Sequence, residues 1–152
     1  MRRGMVSALM VLMLSSATLA SAQRLPSPPM TIEMLQAEFA ARTGSDTVYF
    51  VGSSHGLNAN TQQILMAQAA WLLSNPAIRA RIEGHADERT PRDYALALGE
   101  RRATAVRDFL VLQGVPAAQL TIISWGKERP VVAGSSEGAL ALNRRVKTGL
   151  MR

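Results

Sequence analysis

GHADERTPRDYALALGERRATAV, residues 84–106, is the stretch on which the reading of this chain turns. Charges crowd its first half. The second half has helical periodicity, with Leu98, Arg102, Ala105, Val106 and Phe109 sharing one face. An arginine therefore stands in an apolar stripe, and a guanidinium turned toward a core is costly unless something opposes it. Asp87 precedes it by fifteen positions, across a loop long enough for the chain to turn back. Two arrangements satisfy that spacing. One is a plain salt bridge that ties loop to helix. The other is a splayed pair, with carboxylate and guanidinium each keeping capacity for a third party. A ligand with an ammonium and a carboxylate on one carbon would fit between them, since aspartate accepts from the ammonium and arginine forks onto the carboxylate. Spacing leaves both arrangements open, and ion-pair networks are commonly structural.

Outward from this stretch, strands alternate with helices. Residues 80–83 alternate as a short strand and deliver Gly84-His85-Ala86-Asp87 into a loop. Pro91 opens the following helix, which runs to about Gln113 before Gly114 stops it. Upstream, Thr31–Arg42 reads as a helix with Ile32, Leu35 and Phe39 on one face, and Thr47–Val51 as a β-branched, aromatic strand. Asn60, with Gln63 as reciprocal partner, is the expected cap of a helix that Asn75-Pro76 ends. Downstream, Leu120–Trp125 is a strand, Glu137–Arg144 a short helix and Val146–Leu150 a weak final strand. This order predicts an α/β fold, a small mixed sheet with helices packed on one face.

The N-terminus is set apart. Arg2 and Arg3 precede an apolar, acid-free run from Met5 to Ala20, and Ala20-Ser21-Ala22 fits a cleavage site. Residues 1–22 are expected to be a signal peptide and 23–30 a Pro-rich tether. Residues 31–44 then form a short N-terminal helix and 45–152 the main domain. Cleavage leaves 130 of 152 residues, enough for one sizeable core, and lowers the formal charge from +6 to +4. There is no cysteine. That excludes a disulfide framework and thiolate chemistry, and no lipid anchor through an N-terminal cysteine is expected.

From Val48 to Arg145 the sequence resembles the OmpA-like domain, most closely its peptidoglycan-associated, or Pal, branch. The carrying residues are VYF at 48–50, AAWLLSNP at 69–76, EGHADER at 83–89, LGERRATAVRDFL at 98–110, SWGKERP at 124–130 and NRR at 143–145. The resemblance implies a two-layer α/β sandwich in the periplasm that holds peptidoglycan without catalysis. It also implies that Asp87 and Arg102 grip the free end of diaminopimelate in the stem peptide, with Gly52, Ser53 and Ala86 at the rim. A Tol-system periplasmic protein is the second partner it implies. The alternative is a protein-interaction module of the Tol-Pal type that has lost wall binding. The sequence departs from the pattern at Val51-Gly52-Ser53, where the family carries an acidic and aromatic run, at Thr90 in place of glycine, and at Ala95 in place of asparagine. If the rim acts through backbone N–H groups, Gly52 and Ser53 still serve.

Other chemistries find less support. His55, His85, Asp87 and Glu88 lack a third ligand at metal-site spacing, so no metal and no cofactor are expected. His85 reads as a structural residue whose ring bonds backbone or neighbouring loops. Ser53, Ser54 and His55 are adjacent and lack a nucleophile elbow, and Glu83 reads as an arginine partner, so no enzyme is expected. Arg89, Arg92, Arg101 and Arg107 have only Tyr94 interleaved, so no nucleic acid is expected as a partner. Trp71 and Trp125 read as packing residues, Trp125 needing an acceptor for its N–H. Asn143-Arg144-Arg145 reads as a cap for the last helix and strand, with Arg145 within reach of a wall peptide.

Overall fold

The computed structural model describes residues 27–152. The expected signal peptide, residues 1–22, and the start of the tether lie outside the described residues. Four helices, α1 (Ile32–Thr43), α2 (Ala59–Ser74), α3 (Arg92–Leu112) and α4 (Glu137–Asn143), accompany four strands, β1 (Thr47–Tyr49), β2 (Arg79–His85), β3 (Leu120–Gly126) and β4 (Arg145–Met151). The sheet order is β1-β4-β2-β3. β2 and β3 are parallel, while β4 runs antiparallel to both β1 and β2. This is the mixed sheet with helices on one face that the alternating pattern calls for.

Even-numbered residues of β2, Ala80 and Ile82, are fully buried, and so are Val48 of β1 and Val146 of β4. They meet Leu65, Ala69 and Leu72 of α2 and Ala103, Val106 and Leu110 of α3 in one core. α1 joins it through Phe39, whose ring meets Trp71 edge-on with centroids 5.1 Å apart. β1 begins only opposite Lys147, so β4 has a bare edge from Thr148 onward, and α1 covers that edge. Gln36 Nε2 donates to the Thr148 carbonyl and its Oε1 accepts from the Leu150 N–H. A side-chain amide thus takes the ladder positions that a longer β1 would fill.

Several local expectations shift. Asn58, not Asn60, caps α2, its Oδ1 accepting from Thr61 N at 2.8 Å, and Asn60 lies inside the first turn. β4 starts at Arg145 and is central rather than weak. It carries core residues only on alternate positions, so its sequence looks half polar. On α3 the fully buried face is Ala95, Arg102, Ala103, Val106 and Leu110 with Leu98, while Ala105 and Phe109 are half-buried.

The rotation of that stripe has a cause. α3 crosses β2 where Gly84 faces Gly99, and a Cβ on Gly84 would lie 1.8 Å from the Gly99 carbonyl oxygen. Two missing side chains let the backbones approach and fix which face of the helix meets the sheet. Arg102, one turn further on, is thereby brought to the end of β2. Gly84→Ala is expected to destabilise the fold by about 3 kcal/mol or more in urea unfolding, because the obstacle is backbone and cannot turn away. Gly138→Ala in α4, where a Cβ meets nothing within 4 Å, is expected to leave stability unchanged or raise it by up to about 1 kcal/mol.

Candidate functional site

The site lies where the ends of β1 and β2 meet α3 and the start of β4. Arg102 is fully buried, 0 % exposed. Its Nε donates to the Ser54 carbonyl at 2.8 Å, Nη1 to the His85 carbonyl at 3.0 Å and Nη2 to the Gly52 carbonyl at 2.7 Å. The guanidinium also lies 5.1 Å from the centre of the Phe50 ring. Burial lowers its pKa to about 10, with Asp87 pulling it back up and Arg144 adding to the fall. It is still a cation at neutral pH. Three of its five N–H groups are committed, so one remains on each terminal nitrogen.

Asp87 is 6 % exposed. Its Oδ2 meets Arg144 Nη1 at 3.3 Å and Arg89 Nη2 at 3.4 Å, while Oδ1 accepts from the Arg89 N–H at 3.1 Å and the Thr90 hydroxyl at 3.4 Å. Among the described residues, its buried ion-pair partner is therefore Arg144 and not Arg102. Asp87 and Arg102 neither close on each other nor part company. They share one electrostatic environment, each anchored by different groups.

Arg144 is the residue that sequence reasoning missed. Its Nη2 donates to Glu137 Oε1 at 2.9 Å and its Nε to the Phe50 carbonyl at 3.3 Å. The Glu137 hydrogen bond above all, and Asp87 with it, raises its pKa. Glu137 itself is 73 % exposed at the side chain. The cap reading of the NRR run holds for the backbone of Arg144, the C-cap of α4, whose N–H bonds the Leu140 carbonyl, while the Asn143 amide bonds Val131 and Val132 backbone and pins the preceding loop. The available signal was strand alternation. With Val146 facing the core, Arg144 must share its side of the sheet.

The rim residues fall as follows. Gly52 has φ 54 and offers its carbonyl, not its N–H, to Arg102. Ser53 is exposed, and the second loop carbonyl on Arg102 belongs to Ser54. Ala86 is buried, with its N–H donated to the Gly126 carbonyl at 2.9 Å. A cleft of about 420 Å³ opens beside Asp87, bounded by its neighbours Ala86 and Glu88 together with Lys127, Glu128, Pro130 and Asn143. It mixes both signs of charge, as a zwitterionic ligand needs. Among the described residues no group of three His, Cys, Asp or Glu side chains could hold a metal ion, and no helix is long and apolar enough to cross a membrane.

His85 departs from expectation. Neither ring nitrogen has a hydrogen-bond partner, and Trp125 Nε1 and Arg145 Nη1 beside it are likewise unpartnered. Burial first, then Arg145, Arg129 and Lys147, lowers the His85 pKa to about 3, so the ring is neutral. Glu83 does pair with an arginine, Arg81, at 2.7 Å.

Comparison with known proteins matches residues 49–144 to the OmpA family. A peptidoglycan-associated lipoprotein of Agrobacterium fabrum is 46% identical over 115 residues, 76% of this chain and 64% of that protein. One from Brucella melitensis is 45% identical over 113 residues, 74% of this chain and 67% of that protein. The chain thus spans about two thirds of the length of these relatives. The crystal structure of the peptidoglycan-associated lipoprotein from Burkholderia pseudomallei superposes with a TM-score of 0.69 at 40% identity, covering 71% of this chain and 92% of that one. The C-terminal domain of Helicobacter pylori MotB shares the fold, with a TM-score of 0.66 at 21% identity, over 70% of this chain and 84% of that one.

The buried neutral imidazole makes stability depend on acid. In the unfolded chain His85 binds its proton near its usual 6.5, in the folded chain only near 3. The unfolded state therefore binds more protons across that window, and stability falls as pH drops through it. The contribution lost between pH 7 and pH 5 is about 2 kcal/mol. His85→Phe is expected to flatten the pH dependence of urea unfolding over that range by this amount. An unchanged slope would show that the ring is not held neutral.

Proposed function

The chain belongs to the OmpA family, and from that premise we propose that it is a non-catalytic module of the cell envelope that holds peptidoglycan by the diaminopimelate of a stem peptide. The observation that carries this reading is a nearly buried carboxylate, Asp87, set among the guanidinium groups of Arg144, Arg89 and Arg102 at the edge of a cleft of mixed charge. The relatives at about 45% identity are named for peptidoglycan association. Nothing favours the alternative of an interaction module that has lost the wall.

In this reading Asp87 accepts from the ligand ammonium, and the stem peptide lies along the cleft past Ala86. The ligand carboxylate takes the two uncommitted N–H groups of Arg102. Arg102 is covered by the Gly52 and Ser54 carbonyls, so the loop after β1 has to yield for that bond to form. Gly52 and Ser53 belong to the site as the hinge of this loop rather than as N–H donors. The periplasm, reached through a cleaved signal peptide, is the compartment this ligand requires, and a Tol-system protein is a partner compatible with the same exposed end.

Arg102→Ala would strand three carbonyl oxygens and is a poor probe, because loss of folding and loss of binding would look alike. Asp87→Asn keeps the shape and removes the charge. The chain from Gln23 onward contains every described helix and strand. Titrated calorimetrically with a diaminopimelate-containing stem tripeptide, it is expected to bind, Asp87→Asn at least tenfold more weakly, and a lysine-containing stem peptide weakly by comparison, since lysine lacks the second carboxylate. Equal affinity of wild type and Asp87→Asn for the tripeptide would remove Asp87 from the site.

A further inference from the structure

The helices cover only one face of the sheet. The opposite face is formed by the odd-numbered positions, placed side by side by the strand register. Arg79 lies opposite Met151, Arg81 opposite Gly149 and Thr121, Glu83 opposite Lys147 and Ile123, and Tyr49 and Thr47 opposite Arg145 and Lys147. Past the irregularity between Gly84 and His85, Trp125 shows its indole on this face, and the Arg129 guanidinium stacks on it at 3.4 Å.

The charges on this face are one-sided. Arg79, Arg81, Lys147 and Arg129, all at least partly exposed, stand against a single acid, Glu83, a net of +3 on one face of a chain whose whole formal charge is +6, and Arg145 lies buried beneath them. Glu83 is taken by Arg81. Among the described residues, Arg79, Arg129, Arg145 and Lys147 have no carboxylate within ion-pair distance. The field is strong enough that Arg145, Arg129 and Lys147 each help keep His85 from binding a proton.

We propose that this uncovered sheet face docks the domain onto an anionic membrane surface, with lysine and arginine ends among the lipid phosphates. The shape favours a membrane over a peptide or a nucleic acid. The cations are spread along the seven residues of β2 and β4, about 20 Å, on a sheet face and not in a groove. The exposed Tyr49 and the partly exposed ring of Trp125 are of the residue types that settle at lipid head groups. A polybasic face with interfacial aromatics gains from every cation that reaches the phosphate layer, and the attraction falls away with salt. The peptidoglycan site lies at the ends of the strands, among helix-side residues, so one domain would touch wall and membrane through different surfaces. The proposal does not depend on the wall reading.

Co-sedimentation tests it, using the chain from Gln23 with phosphatidylglycerol–phosphatidylcholine vesicles and with phosphatidylcholine alone. The expected result is binding to the anionic vesicles, none to the neutral ones, and release by 0.5 M salt. Arg79→Gln with Lys147→Gln, both at exposed positions, is expected to weaken binding at least tenfold. Arg101→Gln with Arg107→Gln on α3 removes the same charge from another surface and is expected to change it less than twofold. Equal weakening by both pairs would reduce the effect to net charge and overturn the proposal. So would wild type that ignores anionic vesicles but binds polyglutamate or an oligonucleotide at equal charge concentration, which would assign the face to an acidic protein or a nucleic acid.

Discussion

A guanidinium with no exposure to water, held by three backbone carbonyls, is the constraint on which the rest of this structure depends. Arg102 ties α3 to two pieces of chain, the loop after β1 and the end of β2. A buried cation normally costs several kcal/mol. Here three charge-assisted bonds of 2.7–3.0 Å and the face of Phe50 offset that cost. The Gly84–Gly99 contact belongs to the same device. Without it the helix would stand off the sheet, and a side chain one turn later would fall short of the strand end.

The same wiring explains why the acidic partner is not the one the spacing favours. Once Arg102 has spent its inner N–H groups on carbonyls, Asp87 is met by Arg144 from the junction of α4 and β4 and by Arg89 from its own loop. The carboxylate is thus poised among three guanidinium groups and not neutralised by one. Glu137 sits on the outer nitrogen of Arg144 with most of its side chain in water. It is the member of the cluster that can leave at least cost. A cluster built this way keeps its charges ordered, and under the proposed function the ligand carboxylate would take the two N–H groups of Arg102 that the carbonyls leave free.

Much of this was legible in the sequence. An arginine in the stripe of a helix is conspicuous because its burial is expensive, and periodicity placed it and Asp87 near each other. The class of fold followed from the alternation of strands and helices. What escaped were choices between near-equivalents that only packing decides. Asn58 and Asn60 are equally good caps, and geometry selects the first. Ala103 and Leu110 displace Ala105 and Phe109 from the buried face because two glycines set the rotation of α3. β4 looks weak because Lys147 and Gly149 lie on its open side, though it is central in the sheet. Arg144 and Arg145, adjacent in sequence, go to opposite faces, one to the acid and the other to a buried position beneath the basic surface, where it bonds the Arg129 carbonyl.

Whether a stem peptide reaches Arg102 decides the proposed function. The Nε–H of a buried arginine gives its own nitrogen resonance, and in Arg102 that proton is bonded to the Ser54 carbonyl. Titrating the ¹⁵N-labelled domain with a diaminopimelate-containing stem peptide should move the Arg102 Nε–H together with the amides of Gly52–Ser54, saturating along one binding curve. Saturable binding that leaves this resonance in place while other amides shift would show that the peptide is held elsewhere, and that the buried guanidinium is a fastening of the fold alone.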